Sequence, residues 1–379
     1  MVLGDGSARR ALRTALACLL VSALAPERLE PCAGSPLCSC RLAHMSCTAV
    51  PLHRFPEWPR IELQHLDISM SNLEVISESA LDGLRLQTLV LVANRFHYIE
   101  SQAFSTMANT LASLDLGYNE FTEIPEQGFK DLKVLNWLNM QNNYIAEVSP
   151  EVKWHHLENT LTSLSLSSNQ ITQLKSQALT SLTHLLQLDV EGNYLRSISP
   201  DSLPTSLTVL KLSNNFLHEI SCDLLYNLPR LQMLHVRHNS ITFDTNSNSL
   251  NNKTKKLEKL DLSNNNINDT SDITIFREIQ IRQIILDLNE LTVVPRLLFT
   301  NNRIERLSIS YNKLTSIYRE VFISLKNSLE HLEVEHNKLA HLPDSLAQVT
   351  RLRHLSLAYN QLEESPLLPS RIQTLSLAG

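Results

Sequence analysis

Along most of the chain, apolar residues recur in one phrase, L-x-x-L-x-L-x-x-N-x-L, with polar residues between them. It begins at Leu63, Leu86, Leu111, Leu135, Leu161, Leu185, Leu207, Leu231, Leu257, Ile281, Ile304, Leu329, Leu352 and Ile372. Successive starts lie 23, 25, 24, 26, 24, 22, 24, 26, 24, 23, 25, 23 and 20 residues apart. In Leu111-Ala-Ser-Leu114-Asp-Leu116-Gly-Tyr-Asn119, the side chains of an extended segment alternate. Leu114 and Leu116 therefore share one face and Asp115 takes the other. The phrase predicts one short strand per repeat, its leucines entering a core shared with the strands on either side.

Thirteen repeats reach the ninth position. Twelve carry asparagine there: Asn94, Asn119, Asn143, Asn169, Asn193, Asn215, Asn239, Asn265, Asn289, Asn312, Asn337 and Asn360; Ser71 is the exception. An amide offers two donors and an acceptor oxygen. Stacked in a column, such amides can satisfy backbone groups that would be buried unpaired where each strand turns away. This column is read as structural. The return halves carry apolar knobs, as in Ile99-x3-Ala103-Phe104 and Ile124-Pro125-x2-Gly128-Phe129, which predict a wider convex wall. Repeat eight departs from this, with a polar return half, 242–256, predicted to bulge.

The phrase and its period are those of leucine-rich repeats. The expected fold is an α/β solenoid: a horseshoe with a parallel sheet of about fourteen strands on its concave face and a disulfide-bonded N-terminal cap. Composition agrees, with 70 leucines and only 8 glycines among 379 residues. So few glycines leave little for phosphate-cradling loops, and no GxGxxG, GxxxxGK[ST] or GxSxG motif supports a dinucleotide, P-loop or hydrolase reading. No cofactor is expected.

Arg9, Arg10 and Arg13 precede the apolar run Ala15–Ala25, which has small residues at Ala23 and Ala25. That is the order of a secretory signal, and the run is too short to span a bilayer. The expected divisions are 1–25, a signal peptide; 26–62, a cysteine-rich cap; and 63–379, about fourteen repeats, the last truncated. Without residues 1–25 the chain has 30 basic and 38 acidic residues, net −8, which argues against nucleic acid and other polyanions. Cys32, Cys38, Cys40 and Cys47 cluster, while Cys222 stands apart and Cys18 lies in the signal. In a secreted chain the cluster reads as a disulfide framework, for which four cysteines allow three connectivities. The sequence stops inside a strand, which suggests an incomplete gene product; membrane attachment is expected only through a C-terminal anchor absent from this chain.

The cap adds a finer likeness. A proline before the first cysteine, Cys38-x-Cys40, Cys47-x2-Val50-Pro51, and the strand entries Asn109-Thr110-Leu111, Asn159-Thr160-Leu161 and Asn327-Ser328-Leu329 resemble the extracellular leucine-rich repeat proteins grouped around chaoptin and artichoke, insect cell-surface proteins. The resemblance covers residues 30–379. It implies the pairing Cys32–Cys40 and Cys38–Cys47, a place outside the cell or on the outer face of the plasma membrane, and binding rather than catalysis. The expected function is an adhesion or receptor ectodomain that binds a protein, with homophilic binding the leading case. The alternative is a secreted soluble recognition protein, for example in innate immunity.

Register also gives the outward positions of the sheet: the third, fifth, seventh and eighth of each repeat. The third includes His65, Trp137, Met233, Arg306, His331 and His354; the fifth, Asp67, Asp115, Asn139, Asp189, Lys211, His235, Asp261 and Glu333; the eighth, Tyr118, Tyr311 and Tyr359. Exposed aromatics among polar groups make up interface centres. Tyr118, Trp137, His235, His331 and Tyr311 are the candidate partner contacts. His331, His354 and Glu333 carry the donor types of a zinc site, but on an open sheet they read as a solvated patch, and no metal is expected. The pairs Asp189/Glu191 and Glu333/Glu335 lack a cleft that would shift either carboxyl, so no catalysis is expected. Sequons at Asn252 and Asn268 fall in return segments and predict a glycosylated convex patch that leaves the concave sheet open.

Overall fold

The computed structural model describes residues 30–32, 35–56, 58, 62–242, 256–269, 280–295, 299 and 303–378. Among them, one sheet of seventeen strands runs the length of the molecule. Its first three strands, Glu30–Cys32, Ser35–Arg41 and His44–Ser46, form an antiparallel meander. The third of these pairs in parallel with His65–Asp67, the strand of the first repeat. Thirteen more parallel strands follow, one per repeat, ending at Thr374–Ser376. This is the solenoid that the repeat predicts.

Each strand of the repeats is three residues long because only its central residue and the one two further on face the core. In Ser113–Asp115 the central Leu114 is fully buried and its neighbours are half-exposed. Parallel strands need a crossover on every pass, and here the crossover is the return half of the repeat. Some returns hold short helices, at Glu126–Phe129, Cys222–Tyr226 and Arg319–Leu325. Others pair with the next return in small parallel ladders, Val75–Ile76 with Tyr98–Ile99 and Gln173–Leu174 with Ser197–Ile198. Phe104, Phe129, Trp154 and Phe322 fill the wider convex wall and are buried. No single repeat encloses its own apolar face; one core runs unbroken from the cap cysteines to Leu357. Residues 243–255 of the polar return predicted to bulge in repeat eight, the sequon asparagine Asn252 among them, lie outside the described residues.

The asparagine column forms a ladder. Asn119 donates from Nδ2 to the carbonyls of Leu91, 2.9 Å, Leu116, 2.9 Å, and Gly117, 3.0 Å, while its Oδ1 accepts from the Phe96 N–H at 3.1 Å. Every amide of the column donates back to the preceding repeat in this way, as Asn215 does to Val190 at 3.0 Å and Asn360 to Val334 at 2.9 Å. Ser71 is too short to bridge two turns. Its hydroxyl instead donates to the Val50 carbonyl at 2.6 Å, which ties the first repeat to the cap. Beside it, the buried Oδ1 of Asn94 accepts no hydrogen bond.

The cap holds two disulfides, Cys32–Cys40 and Cys38–Cys47. They lock the meander across the open end of the core, where Met45 and Cys47 are wholly buried. The Cys47 N–H continues the backbone pairing of the sheet by donating to the Asp67 carbonyl at 2.8 Å. At the other end Leu375 and Leu377 are 38% and 43% exposed.

Candidate ligand surface on the concave face

The turn that ends each strand decides what the concave edge presents. In all thirteen repeats that reach it, the eighth residue has a left-handed backbone, from Met70 at φ 55° to Tyr359 at φ 55°. Only Gly192 among them is a glycine. A non-glycine residue costs on the order of 1 kcal/mol or more in that conformation. The asparagine next to it, bonded on both sides, holds the turn there. The side chain at position eight is thereby thrown outward, and in repeats eleven to thirteen it is aromatic. Tyr311 stacks on His336 with ring centroids 4.2 Å apart, and His336 stacks on Tyr359 at the same 4.2 Å, the planes within 15° of parallel. Tyr311 and Tyr359 are about half exposed. His336 was not among the sequence candidates, yet it sits in the same column as the tyrosines, and register alone could have found it.

A second row lies on the strands of the same repeats. His331 and His354 are in register on neighbouring strands and stack at 4.2 Å, 12° from parallel. Burial, then the charges of His354 and Arg306, holds the His331 imidazole below its ordinary pKa, against the opposing pull of Glu330 and Glu333. Glu333 takes a hydrogen bond from the Ser308 hydroxyl at 3.3 Å. Among the described residues no group of three histidines, cysteines or carboxylates is placed to hold a metal ion. At the cap end His44 stacks on His65 at 3.9 Å. His44 belongs to no repeat, so no register pointed to it.

Midway along the sheet is a depression of ≈ 440 Å³. Trp137, 36% exposed, stands on one side of it. In the column of Trp137 the neighbours on either strand are Ser113 and Ser163, too small to cover the indole. Across the floor, Asp115 Oδ1 accepts from the Gly117 N–H and from Asn139 Nδ2, both at 2.9 Å. Burial pushes the Asp115 carboxyl above the ordinary carboxylate range in spite of those bonds. Lys211 Nζ bonds Asp189 at 2.9 Å, which raises the lysine pKa. Asp189 also accepts from the Glu191 N–H at 3.1 Å, so this carboxylate is committed to the fold.

The other candidates are placed as follows. His235 lies in register between Lys211 and Asp261 and is half-buried; burial, then Lys259, lowers its pKa. Tyr118 and Trp137, on adjacent repeats, occupy different columns. Trp137 lines the depression, whose lining does not include Tyr118. Asn268 follows the buried Ile267 on the return side and is itself half-buried. Cys222 opens the short helix Cys222–Tyr226, whose first turn is capped by the Ser221 hydroxyl on the Leu224 N–H at 3.1 Å. A further exposed pair, Tyr194 and Phe216, stacks at 6.0 Å where the residue after the column asparagine turns to the lateral edge.

The in-register parallel sheet, the asparagine ladder and the cap give this chain the leucine-rich repeat fold. A family model described as Leucine rich repeat matches residues 85–145, 159–204 and 279–339, and a second of the same description matches 254–271. The chain is similar to Tsukushi of Gallus gallus, 32% identical over 114 residues, or 29% of this chain and 30% of that protein. It is similar to lumican of Bos taurus, 29% identical over 174 residues, or 45% of this chain and 42% of that protein. The chain thus spans well under half the length of either relative. Among solved structures, a leucine-rich repeat protein of Leptospira interrogans superposes with TM-score 0.65 at 26% identity, over 79% of this chain and 74% of that one. An internalin of Listeria monocytogenes superposes with TM-score 0.59 at 18% identity, over 89% and 87%. At that identity the likeness is one of fold.

Proposed function

We propose that this chain works outside the cell by binding a protein on its concave face, as an adhesion or receptor ectodomain. The observation that carries the reading is the stack of Tyr311, His336 and Tyr359, held outward by left-handed turns and open to solvent. Flat aromatic side chains with a polar tip supply contact area at small entropic cost, and they dominate interface centres. The two cap disulfides support an oxidising, extracellular setting, reached by removal of residues 1–25 as a secretory signal. The likeness of the cap and strand-entry words to chaoptin-like cell-surface proteins supports homophilic binding. Glycans on Asn252 and Asn268 would cover the return side and leave the sheet accessible. No catalytic step is assigned to any residue.

The test is aggregation of cells that display the chain. Tyr311→Ala combined with Tyr359→Ala is expected to weaken aggregation at least tenfold, whereas Asn252→Gln with Asn268→Gln leaves it intact. The reverse pattern would put the partner on the convex side.

A further inference from the structure

The aromatic side chains of the concave face fall into two kinds. In the Tyr311–His336–Tyr359 stack the rings cover one another's faces, so a partner meets mostly their edges. Trp137 differs: it has serine, not another ring, on both flanking strands and is 36% exposed. What surrounds it is also particular. The depression beside it is lined by planar polar groups, the amides of Asn139, Gln141 and Gln187 and the carboxyl of Asp115, together with the hydroxyls of Ser163 and Ser165. An amide both donates and accepts, and a carboxylate accepts two bonds at once. Those are the pairing needs of vicinal hydroxyls, while an exposed indole suits the C–H face of a pyranose ring. We propose that this depression binds a neutral, hydroxyl-rich oligosaccharide.

Charge and length narrow the class. The cation in the lining, Lys211, is already bonded to Asp189 at 2.9 Å, and two carboxyl groups face the same space. Sulfated or uronate-rich chains would meet repulsion there and no unengaged cation. From Asp115 to Lys211 the lining crosses five consecutive strands, roughly 19 Å at the usual strand spacing. That suits an extended chain of several sugar rings. The proposal rests on the reading of the concave face as the ligand surface and names a second ligand class for it, carried by other residues than the tyrosine stack.

The secreted chain would be applied to a printed array of neutral and anionic glycans, and hits followed by tryptophan fluorescence and calorimetry. Of the three tryptophans, Trp154 is buried and Trp58 donates its indole N–H to the Ala80 carbonyl at 2.8 Å, so a binding-induced change reports Trp137. The expected result is binding confined to neutral glycans. Trp137→Ala should abolish the fluorescence change and weaken binding more than tenfold. Trp137→Phe, which keeps a flat ring, should restore most of the affinity, and Gln187→Ala should weaken binding severalfold. No neutral hit, hits confined to anionic glycans, or unchanged affinity in a Trp137→Ala protein that melts like the parent would each overturn the proposal. Aggregation lost in the Tyr311/Tyr359 variant without any glycan hit would leave the protein-binding reading standing and remove this one. Glycan binding alongside undiminished aggregation in that variant would do the opposite.

Discussion

The imidazole of His331 lies flat against that of His354, centroids 4.2 Å apart, because strand register places them side by side. The contact is comfortable only while both rings are neutral. In the unfolded chain His331 titrates near its ordinary 6.5, and in the fold its pKa is lowered. Above pH 6.5 the proton is absent from both states and stability is unaffected. As pH falls through 6.5 the unfolded state takes up the proton first, so stability declines until the folded pKa is passed. His65 beside His44, and His235, are lowered as well and act with the same sign. Asp115 and Asp287, raised mainly by burial, act oppositely: their burdens are relieved as pH drops further and they protonate. The melting temperature is expected to fall from pH 7 into the range below 6.5. An imidazole titration by NMR should place His331 below 6.5, and His354→Gln should move it up. A His331 midpoint at or above 6.5 in the parent would contradict the geometry.

The ladder predicts a large effect from a small truncation. Asn215 donates to Val190 and Leu212 at 3.0 and 2.9 Å and accepts from the Leu195 N–H at 3.0 Å, all out of water. Asn215→Ala leaves those backbone groups unpaired at about 1–3 kcal/mol each, so a loss of about 3 kcal/mol is expected in urea unfolding. A loss below about 1 kcal/mol would mean that water replaces the amide.

Gly128 presses on Ile99. A Cβ built at residue 128 would stand 2.6 Å from Cγ2 and 2.7 Å from Cβ of that isoleucine, both part of a β-branched side chain with little room to turn. Gly128→Ala is therefore expected to destabilise by about 1–3 kcal/mol through overpacking, despite alanine being the better helix former in Glu126–Phe129. Pairing it with Ile99→Ala should recover part of the loss in a double-mutant cycle.

The cap should be separable from the repeats by chemistry. Cys38–Cys47 closes a short loop, with a sequence separation of 9, over the buried Met45. Cys38→Ser with Cys47→Ser should cost about 3 kcal/mol by the chain-entropy estimate. The damage should appear as early hydrogen exchange in the first repeats, while amides around Leu332 stay protected. Uniform loss of protection along the solenoid would instead show that the repeats unfold as one unit.

Much of this molecule was legible as text. A solenoid repeat contacts chiefly its neighbours, so a period in sequence becomes a position in space. The alternation around Leu114, the buried column from Asn94 to Asn360 and the outward placement of Trp137 follow from counting. Counting also sets His331 beside His354, puts His336 in the column of the tyrosines, and keeps Tyr118 and Trp137 in separate columns. What counting could not supply is how such neighbours meet: side chains on adjacent strands have several rotamers, and only the tertiary structure turns these rings face to face at 4.2 Å. The left-handed turn at position eight was hidden for a different reason. Local propensity opposes it at Tyr311 and Leu288, and only amide bonds spanning two repeats impose it. His44 and the packing of Gly128 on Ile99 were likewise beyond reach, because one lies in a cap without a period and the other depends on how two returns are stacked.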